Sequence, residues 1–349
     1  MLIVFSFLIR CSNSSVSYKE DIPFLGNYFS LFIEEPRELK DPNLYSKTIT
    51  EYSKYLDGKK VFINPGQNKI ENSIIKIRNK LDEADINLKV ARHLQNFLLS
   101  VGSEVILSRD SDTSISDSNL IDIANNSGAE IFLSIHHNAT SDTSDKSTNF
   151  TATYYHSQMG KYEYDPSSRN LAKYIQRDLS YVIRNSGGPG SFDGTYSDYT
   201  IIPEKGFLIL RESRMTTVMV MCAFYTNQFE MERLNLDSFN KIEAWGIFKG
   251  LYKYFKAGIP EIRFLPNQSY YSGDELLLSY NLIDESPIDR NSLLVYFDKV
   301  KQNYNYDELT NILSVDIGNI DKGDHIIKLI CGNHEGNFSY PYESQIIIQ

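Results

Sequence analysis

The chain contains no cluster of lysine and arginine. Its 35 basic side chains are outnumbered by 45 acidic ones, for a formal net charge of −10. A phosphate backbone is gripped by a basic patch, so nucleic acid is excluded as a partner. Cysteine is scarce, with only Cys11, Cys222 and Cys331 present. Their separation matches neither a zinc-knuckle spacing nor a disulfide framework. Cys222 and Cys331 lie inside apolar runs and read as buried free thiols. Internal repeats are absent, and the one low-complexity stretch is the Ser/Thr/Asp run at 140–148. Disorder is excluded too, because 41% apolar and 13% aromatic residues are enough to build cores.

The N-terminal run "MLIVFSFLIR" (1–10) is too short to span a bilayer. It has the length of a signal-peptide core and ends at Cys11, after which comes the polar stretch "SNSSVS". An apolar core, a cysteine and a polar spacer resemble a bacterial lipoprotein signal. That resemblance implies export to the bacterial periplasm or cell envelope and membrane attachment through a lipid anchor at Cys11. Two features depart from it: no basic residue precedes the core, and Arg10 stands directly before the cysteine. A start upstream of Met1 would account for the first. The plainer reading of 1–10 is an ordinary N-terminal strand.

A chain of this length suggests about two domains. Residues 11–58 show no clean period and read as a spacer and N-terminal extension that packs on the domain beginning at 59. From 59 to 257, strand and helix patterns alternate. "KKVFINPG", "EVILSR", "AEIFLSIHHN", "FTATYYHS", "GFLILR" and "TTVMVMCAF" read as strands. Helices are expected over 85–100, around "SDSNLIDIANNSG", over 167–185 and through "SFNKIEAWGIFKGLYKYF". Such alternation predicts an α/β fold with a mostly parallel sheet covered by helices on both faces. From 258 to 349 only short strands separated by turns remain. They predict a small all-β sandwich of immunoglobulin-like type, with Pro260 as a hinge.

Ligands collect at the C-terminal ends of parallel strands. There the sequence places Gln67 after the Pro65-Gly66 turn, His136 and His137 at the end of "SIHHN", and Met221 within "MVMCAF". Glu83 lies just before the long helix. Successive residues of a strand point to opposite faces, so His137 is expected to point away from whatever His136 faces. His93 reads as a helix surface or core residue, and His156 and Glu212 as outside candidates for the cleft. His325 and His334 read as structural residues of the sandwich.

The stretches "INPGQNK", "EADINLKVARHL", "SRDSDTSISDSNLIDIANNSGAEIFLSIHHNA", "TATYYHS" and "VMVMCAFYTN" together resemble the zinc-dependent N-acetylmuramoyl-L-alanine amidases (amidase type 3). The resemblance covers about 59–257. It implies a hydrolase in which two His and one Glu hold Zn²⁺, leaving a position for water. A second Glu acts as general base and acid. The bond cut joins muramic acid to the first alanine of the peptidoglycan stem. Residue by residue, Glu83 and His136 match two zinc ligands. Gln67 stands in place of the third, and Met221 in place of the general base. Asn64, Ala84 and Ala223 replace the family's Asp, Lys and Gly.

An amide oxygen is a poor partner for Zn²⁺ beside imidazole, and a thioether exchanges no proton. The expectation is therefore an exported, catalytically defective peptidoglycan- or muropeptide-binding or regulatory protein with its family zinc lost or weak. One alternative is an active amidase with a rebuilt metal site. Another is a surface adhesion or protein-binding module that takes its partner through the C-terminal sandwich.

Overall fold

The structure, a computed structural model, describes residues 33–67, 82–142, 144–272 and 275–348. The signal-like segment and Cys11 lie outside the described residues.

Val61, Phe62 and Ile63 are fully buried in β1 (Lys60–Pro65). A strand covered on both faces reads as a continuous apolar run rather than an alternation. Strand β1 sits between β2 (Glu104–Leu107) and β3 (Ile131–Asn138), parallel to both. Beyond β3 come β6 (Thr216–Phe224), β4 (Ala152–Tyr155) and β5 (Thr195–Ser197), in the order β2-β1-β3-β6-β4-β5. Only β4 against β6 is antiparallel. The α/β reading with a mostly parallel sheet is met.

Two short helices, one turn at Arg37–Lys40 (α1) and Pro42–Leu56 (α2), precede the sheet. They form the part of the N-terminal extension that lies within the described residues. The Asp41 carboxylate caps α2 by accepting from the N–H of Asn43, with Pro42 at the first helical position. Tyr52 stacks on Tyr252 at a centroid distance of 3.7 Å.

One face of the sheet carries α3 (Glu83–Ser100) and α5 (Pro166–Ile183), bridged by α8 (Asp237–Lys256). On the other face Phe62 and Phe132 pack with Leu120, Ile121 and Ala124 of α4 (Asp117–Asn125) and with Ile209 of α6 (Leu208–Arg211). Helix α6 corrects the expectation of a strand at "GFLILR". A short apolar run does not fix its own period. Here Gly206, at φ +62, turns the chain, and the Asp198 carboxylate accepts from the Phe207 N–H at 2.8 Å. That contact starts a helical turn which buries Ile209 and Leu210. A further helix, α7 (Gln228–Leu234), comes after β6.

Residues 35–349 form one contact unit. Past Pro260 lie two antiparallel sheets, ordered β11-β10-β14-β15 and β12-β13-β9-β7. Here β7 is Glu261–Phe264, β9 Glu275–Ile283, β10 Ile288–Phe297, β11 Val300–Lys301, β12 Asn305–Asp307, β13 Ile312–Asn319, β14 Gly323–Asn333 and β15 Tyr342–Ile348. Strand β8 (Tyr270–Ser272) pairs with β9 off that path. Leu278, Tyr280, Val295, Leu313, Ile327 and Leu329 from both sheets share one core, as in a sandwich. The junction at Pro260 is held rather than hinged. The buried Asn337 amide donates to the carbonyls of Tyr254 and Gly258, and Asn333 donates to Ala257. No helix among the described residues is long and apolar enough to cross a membrane.

Glycine sets how closely α8 meets α5. A Cβ at Gly250 would lie 2.6 Å from the Cα of Ile175, and one at Gly246 would lie 2.7 Å from the Cα of Leu179. Helix propensity alone favours alanine over glycine by about 1 kcal/mol, whereas overpacking costs about 1–3 kcal/mol. Gly250→Ala is therefore expected to lower the urea midpoint of unfolding; a raised midpoint would show that the two helices have room to spare.

Candidate functional site

The ends of β1, β3 and β6 meet in register. Pro65 pairs with Ile135, and His136 pairs with Met221. The ladder continues one step into the loop, where the Gly66 N–H donates to the Ile135 carbonyl at 2.8 Å. Glycine is required at that step because a Cβ would meet the His136 ring at 2.0 Å.

Glu83 is the first residue of α3, and Asp82 caps the helix by accepting from the Ala84 N–H. The Glu83 side chain is 5% exposed and reaches the end of β3. Its Oε1 accepts from the His137 N–H at 3.3 Å and from the Asn87 amide at 3.2 Å, and lies 3.5 Å from Nδ1 of His136. Two of the sequence-predicted ligands are thus brought together. On its other side, Nε2 of His136 is 3.0 Å from the Ser134 hydroxyl. That hydroxyl accepts from Asn64, whose own amide oxygen accepts from Ser108.

The other two predicted positions do not add to this pair. The Gln67 side-chain amide donates to the Thr113 carbonyl in the loop after β2. Met221 stands beside His136 in register and packs its thioether with Ala152, Tyr154, Leu210 and Met219.

Nor do the outside candidates reach the strand ends. Strand β4 runs antiparallel to β6, with Ala152 opposite Met221, so His156, just past the end of β4, lies toward the other end of the sheet. There its Nδ1 is 2.9 Å from the Asp198 carboxylate. It lines a cleft of about 750 Å³ with Glu130, Thr216, Tyr162 and Lys328. Glu212 precedes the start of β6, beside Arg211. His93 meets Asp237 at the surface, and His325 meets Asp298 in the sandwich, a contact that raises the His325 pKa. His334 lies just past β14. The ring of His137 turns to the opposite face, into the core, between Asn87 and Glu243.

Two positioning groups escaped the sequence reading. The Arg109 guanidinium is buried and donates to the carbonyls of Pro65, Gly66, Ala84 and Ser111, and desolvation lowers its pKa. It joins the Pro-Gly loop to the first turn of α3. Asn87 donates to Gly66 and Glu83 and sits against His137. Both form long-range contacts to backbone, and a sequence pattern carries no trace of such contacts beyond the polar "SRD" after a strand.

Zinc sites of hydrolases use three protein ligands and keep a fourth position for water. Among the described residues the strand ends offer one carboxylate and one imidazole, with an amide engaged elsewhere and a thioether beside them. This donor set does not fit the three-ligand zinc centre, and no proton acceptor stands at position 221.

Residues 61–253 match the sequence profile described as Amidase_3, N-acetylmuramoyl-L-alanine amidase. Among curated proteins, the chain is 27% identical over 217 residues to the N-acetylmuramoyl-L-alanine amidase LytC of Bacillus subtilis, covering 62% of this chain and 39% of LytC. It is 26% identical over 214 residues to the germination-specific N-acetylmuramoyl-L-alanine amidase of the same organism, covering 57% of this chain and 81% of that one. A crystal structure of an N-acetylmuramoyl-L-alanine amidase from Clostridium difficile 630 aligns with a TM-score of 0.47 and 26% identity, over 57% of this chain and 98% of that one. Through residues 61–253, the chain belongs to the N-acetylmuramoyl-L-alanine amidase family of the Amidase_3 type.

Proposed function

We propose that this chain is an exported, catalytically defective member of its family that binds peptidoglycan at the strand ends without cutting it. In this reading residues 59–257 carry the glycan- and stem-peptide-binding groove. Residues 258–349 are an immunoglobulin-like module that takes a protein partner, and a lipid anchor at Cys11 holds the chain at the cell envelope. The observation that carries the reading is the pair of substitutions in an otherwise retained frame. The Gln67 amide donates to Thr113, and Met221 is the register partner of His136.

Each substitution removes a separate part of the hydrolysis. Without the imidazole at 67, the site lacks a third ligand of the kind that holds Zn²⁺ beside imidazole. Without the carboxylate at 221, nothing there takes a proton from water or returns one to the leaving amine, a contribution of about 10²–10⁴-fold in rate. What remains beside the strand ends is a line of polar side chains, Asn64, Ser108, Ser134 and His136, linked to one another by hydrogen bonds, with Asn64 and Ser134 buried.

The purified chain is expected to co-sediment with isolated sacculi while releasing no stem peptide; absence of retention, or steady peptide release, would sink the reading. The Gln67→His, Met221→Glu double variant is expected to release stem peptide at least about 10²-fold faster than the unmodified chain. That gain should vanish when His136→Ala is added. Equal rates for the unmodified chain and the double variant would show that the two positions are not where the chemistry was lost.

A further inference from the structure

The face of the sheet away from His136 holds a second convergence of donor groups. His137 of β3, Cys222 of β6 and Glu243 of α8 each place a ligand atom within 4.8 Å of the other two, and all three are buried. They lie beneath α8, among apolar side chains. A carboxylate in such a place costs several kcal/mol in desolvation unless compensated.

The hydrogen bonds around the group fix the state of the imidazole. The Asn87 amide nitrogen donates to the Gly66 carbonyl at 2.9 Å and to Glu83 at 3.2 Å. Its oxygen must then be the atom 2.7 Å from Nδ1 of His137, so Nδ1 carries a proton. The other nitrogen, Nε2, faces the Glu243 carboxylate at 2.9 Å. The second oxygen of Glu243 accepts from the Asn240 amide at 3.2 Å. An imidazole that donates its far N–H to a fixed oxygen, and a carboxylate held by a second donor, is how proteins orient metal ligands from outside the coordination sphere. The Asn240 side-chain oxygen, also buried and next to that carboxylate, has no hydrogen-bond partner among the described residues.

We propose that His137, Cys222 and Glu243 form a buried binding site for a thiophilic divalent cation of the Zn²⁺ class, separate from the family's strand-end centre. One sulfur, one nitrogen and one oxygen are donors that Zn²⁺ accepts, and they would fill three of the four tetrahedral positions. The charges also balance: a divalent ion with one thiolate, one carboxylate and one neutral imidazole sums to zero, which suits an apolar core. Burial pushes the Cys222 thiol well above its ordinary pKa, with the Glu243 carboxylate adding to the effect, so without a cation the sulfur keeps its proton. Loading therefore releases the thiol proton and the proton held between Nε2 of His137 and Glu243, which leaves one sulfur, one nitrogen and one carboxylate oxygen free to bind the cation. The competing account is a hydrogen-bonded His–Glu pair with Cys222 as a small packing residue.

The test uses the full chain refolded with Co²⁺ and then passed over a desalting column. About one Co²⁺ per chain is expected to remain, with tetrahedral visible bands and a near-ultraviolet thiolate-to-cobalt charge-transfer band. The charge-transfer band should disappear in Cys222→Ala and persist in His136→Ala, in Cys331→Ala and in Cys11→Ser. Should Cys222→Ala fail to fold, X-ray absorption of the zinc-loaded unmodified chain decides instead, with a sulfur scatterer expected at about 2.3 Å. The proposal is overturned if the chain retains no metal, or retains it without sulfur ligation. It is also overturned if retention is lost in His136→Ala, which would place the ion at the strand ends and would instead count against the defective-enzyme reading.

Discussion

The Glu83 carboxylate at the end of β3 is the contact on which the site depends. Its Oε1 collects the His137 N–H, the Asn87 amide and the edge of the His136 ring. It thereby fixes the first turn of α3 against the central strand. The neighbouring contacts reinforce the same junction, with Arg109 donating across Pro65, Gly66 and Ala84. These bonds are buried, and breaking any one leaves a desolvated partner behind at a cost of about 1–3 kcal/mol. Such a set of mutual constraints ties the Pro-Gly loop, the first turn of α3 and the end of β3 into one junction.

The alternation of a strand then divides two adjacent histidines between two environments. His136 faces the polar line Ser134–Asn64–Ser108 on the side of α4 and α6. His137 faces Asn87 and Glu243 under α8. Glu83 reaches the His136 ring and the His137 N–H, and Asn87, four residues on along α3, links Glu83 to the His137 ring. The strand-end Glu83–His136 pair and the buried donor cluster are therefore joined by hydrogen bonds, though they lie on opposite faces of one sheet.

The sandwich is joined to the α/β part by the same means, buried side-chain amides on backbone carbonyls. Asn337 and Asn333 reach the last turn of α8 and the residues after it. Lys328 crosses to the Tyr162 carbonyl at 2.8 Å. Amide and ammonium donors of this kind fix orientation as well as proximity across the Pro260 junction.

Much of this was legible in one dimension. Apolar runs such as 61–63 and 131–135 carry their own strand signal, and the β-sheets after Pro260 announce themselves by short runs between turns. The motif positions Glu83, His136, Gln67 and Met221 could be named from spacing and resemblance alone, as could the opposite facing of His137, because a strand's period is fixed by its backbone. The state of "GFLILR" was not legible, since a six-residue apolar run suits either period, and a distant carboxylate, Asp198, decided it. Nor was α2, whose face is mostly polar and whose signal lay only in its Asp41-Pro42 start. Tertiary structure alone decided that Gln67 turns to Thr113, that Arg109 binds carbonyls rather than ligand, and that His137, Cys222 and Glu243 meet. Those partners stand up to about a hundred residues apart, and only the closing of the sheet beneath α8 brings them within bonding reach.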